Sequence, residues 1–208
     1  MEYSKEFKAA LSKFSSVEKD KLIFRLLKKD KLLSKKLYFE LIDPETTDNK
    51  RDAMEEIVQE KVLLASKYIG NPKYFLSIIR KISAEITEHV KITTDKFGEV
   101  SLNILLVNEI LKHNEDLSRQ RFDNVYKLYL YLINKTVKAL LLTRKLDVDY
   151  WMEIDEHLDH LKEKILQNKY LSKLFINNGI DFNWLTSDRI PENFDQIIKD
   201  IKSRGFLR

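Results

Sequence analysis

The chain has 208 residues and a mass of 24.8 kDa, and 43% of its residues are apolar, enough to fill an ordinary core and too many for a disordered segment. Only 4 Gly and 3 Pro punctuate it, too few for the turns of a sandwich, a barrel or an alternating strand-and-helix fold. Its 37 Lys and Arg against 33 Asp and Glu leave a weakly basic net charge of +4, and zero Cys excludes disulfides, thiolate metal sites and cysteine nucleophiles.

Long helices are what remain. The composition and periodicity predict an all-α chain, a single domain over residues 1–208 built as an irregular antiparallel bundle or short α–α array of about eight to ten helices. A first helix is expected over Tyr3 to Phe14, with Phe7, Ala10, Leu11 and Phe14 on one face. Ser15-x-x-Glu18 is a capping-box pattern that opens a second helix carrying Leu22, Ile23, Leu26 and Leu27. A third carries Leu33, Leu37, Tyr38 and Leu41 and ends before Pro44, which disfavours helical geometry at Asp43.

From Asp48 or Asn49 a longer helix is expected to reach Ile69, with Ala53, Ile57, Leu64 and Tyr68 facing inward. Gly70-Asn71-Pro72 closes it and starts the next, because Pro tolerates the first helical position, where its missing N–H has no intrahelical partner. Phe75, Ile79, Ile82, Ile86 and Val90 then form the cleanest amphipathic stripe in the chain. The run Val100 to Leu111 is apolar on more than one side, as a central helix is, with a short strand over Ile104 to Val107 as the alternative. Ser118 is expected to cap a long helix reaching Arg144 that serves as the hub, and Asp147 or Asp149 to start another with Trp151, Ile154, Leu158, Leu161 and Ile165 facing in. A short helix over Tyr170 to Ile176, a tucked turn at Phe182, Trp184 and Leu185, and a last helix carrying Phe194, Ile197, Ile198 and Ile201 complete the chain, with Arg204 to Arg208 loose.

Lys5, Glu6, Lys8 and Lys13 interrupt any apolar leader at the start, so a cytoplasmic protein is expected. Leu128 to Leu142 contains Asn134, Lys135 and Lys138, so it is a core helix and no membrane association is expected. No Gly-x-Ser-x-Gly elbow, His-Glu-x-x-His pair or Gly-rich phosphate loop occurs, and no cofactor is implied. The metal candidates are Glu153, His157 and His160, which share one helical stripe. They lack the paired Glu-x-x-His register of a di-metal carboxylate bundle, and a solvated polar flank is the simpler reading.

Charge segregates along the chain. Residues 1–41 carry 11 basic and 6 acidic side chains, residues 43–62 carry 3 and 7, residues 118–145 carry 7 and 1, and residues 146–163 carry 1 and 7. Alternating segments of this kind suit complementary association more than a phosphate track. Arg119, Arg121, Lys127, Lys135 and Lys138, beside Tyr126, Tyr129 and Tyr131, are the nucleic-acid candidates, since aromatic stacking plus cations holds single strands. Tyrosines in an apolar helix more commonly bury their rings and let the hydroxyl reach an edge. The leading expectation is therefore a non-catalytic interaction or scaffold module that binds another protein or itself. A nucleic-acid-associated accessory protein using the basic segments is the first alternative, and a metal-dependent helical-bundle enzyme the second.

Overall fold

The computed structural model describes residues 2–114, 117 and 119–208; it is 79% helical, and among the described residues there are ten α-helices and no strand. The short alternative at Ile104 to Val107 is helix. The chain forms two compact units, Met1–Pro44 with Lys91–Thr93, and Glu45–Val90 with Thr94–Arg208.

The first unit holds α1 (Lys5–Ser12), α2 (Ser16–Lys29) and α3 (Lys31–Leu41). Local chemistry sets each boundary. The Ser4 side chain accepts from Phe7 N at 3.2 Å. The expected capping box is present, with Ser15 Oγ accepting from Glu18 N and Glu18 Oε2 accepting from Ser15 N at 2.9 Å, so two backbone donors that lack intrahelical partners are satisfied reciprocally. Asp30 both ends α2 and caps α3, accepting from Leu33 N at 3.0 Å. Their shared interior is shallow: Leu22, Leu27, Leu32, Leu37 and Phe39 are half-buried, and none of the three helices contains a fully buried residue.

The second unit is organised around α6 (Lys96–His113), in which nearly every residue from Phe97 to Leu111 is buried. It packs against α4 (Thr47–Ser66), α7 (Phe122–Thr143) and α8 (Trp151–Gln167). The hub is therefore α6, in place of the expected α7. A polar group on a helix buried all round needs a partner from a neighbouring helix, and three asparagines each reach one, each on a different neighbour. Asn103 Oδ1 accepts from Lys135 of α7 at 3.0 Å, Asn108 Nδ2 donates to the His157 carbonyl of α8 at 3.2 Å, and Asn114 Nδ2, at the helix end, donates to Ser66 Oγ of α4 at 3.1 Å.

The buried face of α4 is Met54, Val58, Val62 and Ala65, whereas Ala53, Ile57, Leu64 and Tyr68 are exposed; the sequence expectation chose the neighbouring stripe. In α5 (Pro72–Thr93) the predicted stripe is right, with Phe75, Ile79, Ile82 and Ile86 buried and Pro72 at the start. The α7 helix begins after Arg121 with no side-chain cap, and the expected cap Ser118 lies outside the described residues. Ile154, Leu158, Leu161 and Ile165 of α8 are fully buried as predicted. Then α9 (Lys169–Asn177) and α10 (Phe194–Ser203) flank two single 3-10 turns at Phe182–Trp184 and Ser187–Arg189. The tail is docked, contrary to expectation. Leu207 is buried, its N–H donates to Asn178 Oδ1 at 2.8 Å, and its carbonyl accepts from Asn134 Nδ2 at 3.2 Å.

Candidate functional site

The predicted metal stripe does not gather a ligand set. Glu153 and His160 are exposed and His157 is half-buried, and among the described residues no group of three or more His, Asp or Glu could hold an ion. Burial holds the His157 imidazole below its ordinary range, against the pull of Glu153 and Glu156, so the ring is a neutral flank of the α6–α8 seam. The neighbouring Asp155 has a structural task that spacing did not reveal. Its two carboxylate oxygens accept from Ser187 N and Ser187 Oγ, both at 2.7 Å, and so anchor the second 3-10 turn at its buried first residue.

The five nucleic-acid candidates scatter. Arg121 is the exposed residue before α7, Arg119 is also exposed, and Lys127 lines a groove described below. Lys138 pairs with Glu99 of α6 at 2.8 Å. Lys135 turns inward, donating to Ser83 Oγ of α5 and Asn103 Oδ1 of α6, and is not presented to a phosphate backbone. Tyr126 and Tyr129 behave as the structural reading expects, whereas the Tyr131 hydroxyl is buried and does not reach an edge. Tyr129 is fully buried with its hydroxyl accepting from Asn168 Nδ2 at 3.1 Å, and Tyr126 packs edge-on against Phe122.

Lys135 is the most perturbed group in this cluster. Desolvation, with Lys138 adding to it and Glu99 opposing, lowers its pKa from 10.5 to about 8. The Tyr131 ring lies between two cations, with Lys135 Nζ at 5.8 Å and Arg80 Cζ at 5.9 Å from its centroid, within reach of the ring quadrupole. Burial pushes the Tyr131 phenol up. A serine beside a lysine of lowered pKa is the raw material of acyl transfer. Here, however, Ser83 sits in mid-helix, where the neighbouring backbone N–H groups are committed to the helix ladder and so do not form an oxyanion hole. The cluster is a polar seam that joins α5, α6 and α7.

Clefts lined by described residues of the second unit include two of small-molecule size. One, of about 460 Å³, is lined by Leu141, Arg144, Trp151, Glu192 and Phe194 among others. Of its two cations, Arg144 stacks over Trp151 at 5.6 Å and reaches Glu192 at 3.6 Å, and Lys145 shares the lining with Glu192 and Asp195. The other, of about 630 Å³, lies between the first turns of α5 and α7 and is lined by Lys73, Arg80 and Lys127 with Asp123.

The first unit supplies a different kind of surface. Eleven of the twenty-three large apolar side chains exposed among the described residues lie between Tyr3 and Ile42, including Phe24 at 64% and Leu41 at 77%. Residues 1–44 also hold 11 Lys and Arg against 7 Asp and Glu, leaving 26 of each for residues 45–208. The whole net charge of +4 therefore resides in this segment. Apolar periodicity revealed these helices but not that much of their apolar surface stays uncovered. No helix among the described residues is long and apolar enough to cross a membrane. No family model, curated protein or solved structure matches the chain, so the site is read from its own residues.

Proposed function

We propose that this chain is a non-catalytic helical interaction module, in which α1–α3 form the docking element and the second unit the scaffold that carries it. One observation carries the reading. Three well-capped amphipathic helices fully bury none of their residues while exposing Phe, Leu, Ile and Tyr among lysines. Exposed apolar area on this scale marks an interaction surface, and the surplus of cations around it selects a partner protein whose apolar groove has an acidic rim. The absence of cysteine fits a reducing, cytoplasmic setting.

The test is a photo-crosslinking residue placed in cells at Phe24 or Leu41, with Met152 of the second unit, 80% exposed, as the control position. Crosslinks to one discrete protein, or to a second copy, from Phe24 and Leu41 but not from Met152 are the expected result. Equal labelling at all three positions, or crosslinks confined to lipid or nucleic acid, would refute the reading. A second reading, a nucleic-acid-associated accessory protein, draws on the same basic segment. It requires binding at low salt that weakens steeply as salt rises, and an absence of binding at low salt removes it.

A further inference from the structure

We propose that the groove between the first turns of α5 and α7 is a binding site for a small hydroxylated phosphate ester, a sugar phosphate or a nucleotide. Its cavity of about 630 Å³ falls within the size range of small-molecule sites. Three cations line it, Lys73, Arg80 and Lys127, against the single carboxylate of Asp123. Some lysines of the second unit pair with carboxylates, as Lys61 does with Glu85, Lys138 with Glu99 and Lys199 with Asp195. Among the described residues none of the three groove cations has such a partner, although Arg80 also lies over the Tyr131 ring at 5.9 Å. Three cations against one carboxylate leave the lining with a net positive charge, which favours an anionic ligand.

Contacts beside the groove brace its rim. Gln120 Nε2 donates to the Ile69 carbonyl at 2.9 Å, and Tyr68 packs edge-on against Tyr74 at 5.2 Å, so the α4–α5 turn is tied to the approach to α7. Both helices that open onto the groove run 22 residues, and α7 starts without a side-chain cap, so their N-terminal partial charges add to the field of the cations. The remaining lining specifies more than an anion. Leu76 and Leu128 are buried apolar residues that form a floor for an organic group. Asp123 only accepts hydrogen bonds when ionised, so beside three cations it selects a ligand with hydroxyl donors next to its phosphate.

Calorimetric titration of the full chain with ribose 5-phosphate, adenosine 5′-monophosphate, ribose and inorganic phosphate tests this. At least one ester should bind about 10-fold more tightly than inorganic phosphate, and ribose should not bind. Tighter binding of the adenosine ester identifies a nucleotide, and tighter binding of ribose 5-phosphate a sugar phosphate. The double variant Lys73→Gln/Lys127→Gln should lose about 10-fold or more in affinity, since charge-assisted contacts are removed, while its unfolding midpoint stays unchanged because both side chains are exposed. Asp123→Asn should weaken the ester and leave inorganic phosphate unaffected or slightly tighter. The proposal is overturned by esters that fail to bind at about 10 mM, by affinity that the double variant leaves intact, or by inorganic phosphate binding as tightly as the esters, which would mean an adventitious ion only.

Discussion

Lys135 offers a direct measurement of how dry the α5–α6–α7 seam is. Burial lowers its pKa from 10.5 to about 8, and unfolding returns it to the ordinary value. The folded pKa lies below the unfolded one, so between them the unfolded chain binds the extra proton. Stability therefore climbs as pH rises from about 8 toward 10.5, and is lost again as pH falls through 8. Holding the ammonium in the seam costs at most about 3 kcal/mol at pH 7, and raising the pH to 9.5 returns about 2 kcal/mol of it. Lys135→Met keeps most of the side-chain volume and removes the titration. It also strips Ser83 and Asn103 of a donor, which offsets the gain at pH 7 by a few kcal/mol. The informative quantity is the difference between the two proteins at two pH values, because the other titrating groups are common to both. Urea unfolding at pH 7 and 9.5 should show the parent chain gaining on Lys135→Met by about 2 kcal/mol, roughly 1 M in midpoint. A difference between the proteins that stays the same at both pH values would show that the ammonium remains fully hydrated, and the reasoning about the seam would fail.

Other expected outcomes follow the same logic of burial and partnership. Asp95→Ala removes a buried carboxylate whose Oδ1 accepts from Gly98 N at 2.8 Å and whose Oδ2 accepts from Arg51 Nε at 2.7 Å, and calorimetric melting should show a loss of about 3 kcal/mol. Asp155→Ala leaves the N–H and hydroxyl of buried Ser187 without acceptors, so chemical denaturation should register about 2–3 kcal/mol. Phe24→Ser and Leu41→Ser should leave unfolding of the isolated chain within about 0.5 kcal/mol, whereas Leu102→Ala, at a fully buried position, should cost about 3 kcal/mol. A large loss from the two exposed positions would mean that their apolar surfaces are already covered.

The features legible in the sequence are those decided within one or two turns of chain. The Ser15 and Glu18 box, the Gly70-Asn71-Pro72 break and the stripes of α5 and α8 need no knowledge of neighbours. The face of α4 does. Met54, Val58, Val62 and Ala65 lie one position around the helix from a competing apolar set, and only packing against α6 decides between them. Lys135 looked like a surface cation because its partners, Ser83 and Asn103, are 52 and 32 residues distant; a long side chain can send its charge inward once polar groups wait there. Lys127 was legible as a candidate cation, but its grouping with Lys73 and Arg80 was not, since they come from a different helix about fifty residues earlier in the chain.

The three asparagines on α6 have a consequence for how the second unit tolerates change. A cylinder of leucine and isoleucine surrounded by more of the same has many nearly equal rotations and axial offsets. Asn103, Asn108 and Asn114 break that degeneracy, because any slip would strand an amide in hydrocarbon. Uniqueness and robustness are thus assigned to different positions in one helix. Replacing all three with leucine should leave a body that is still compact and helical but has broad, poorly dispersed side-chain resonances, as a molten globule does.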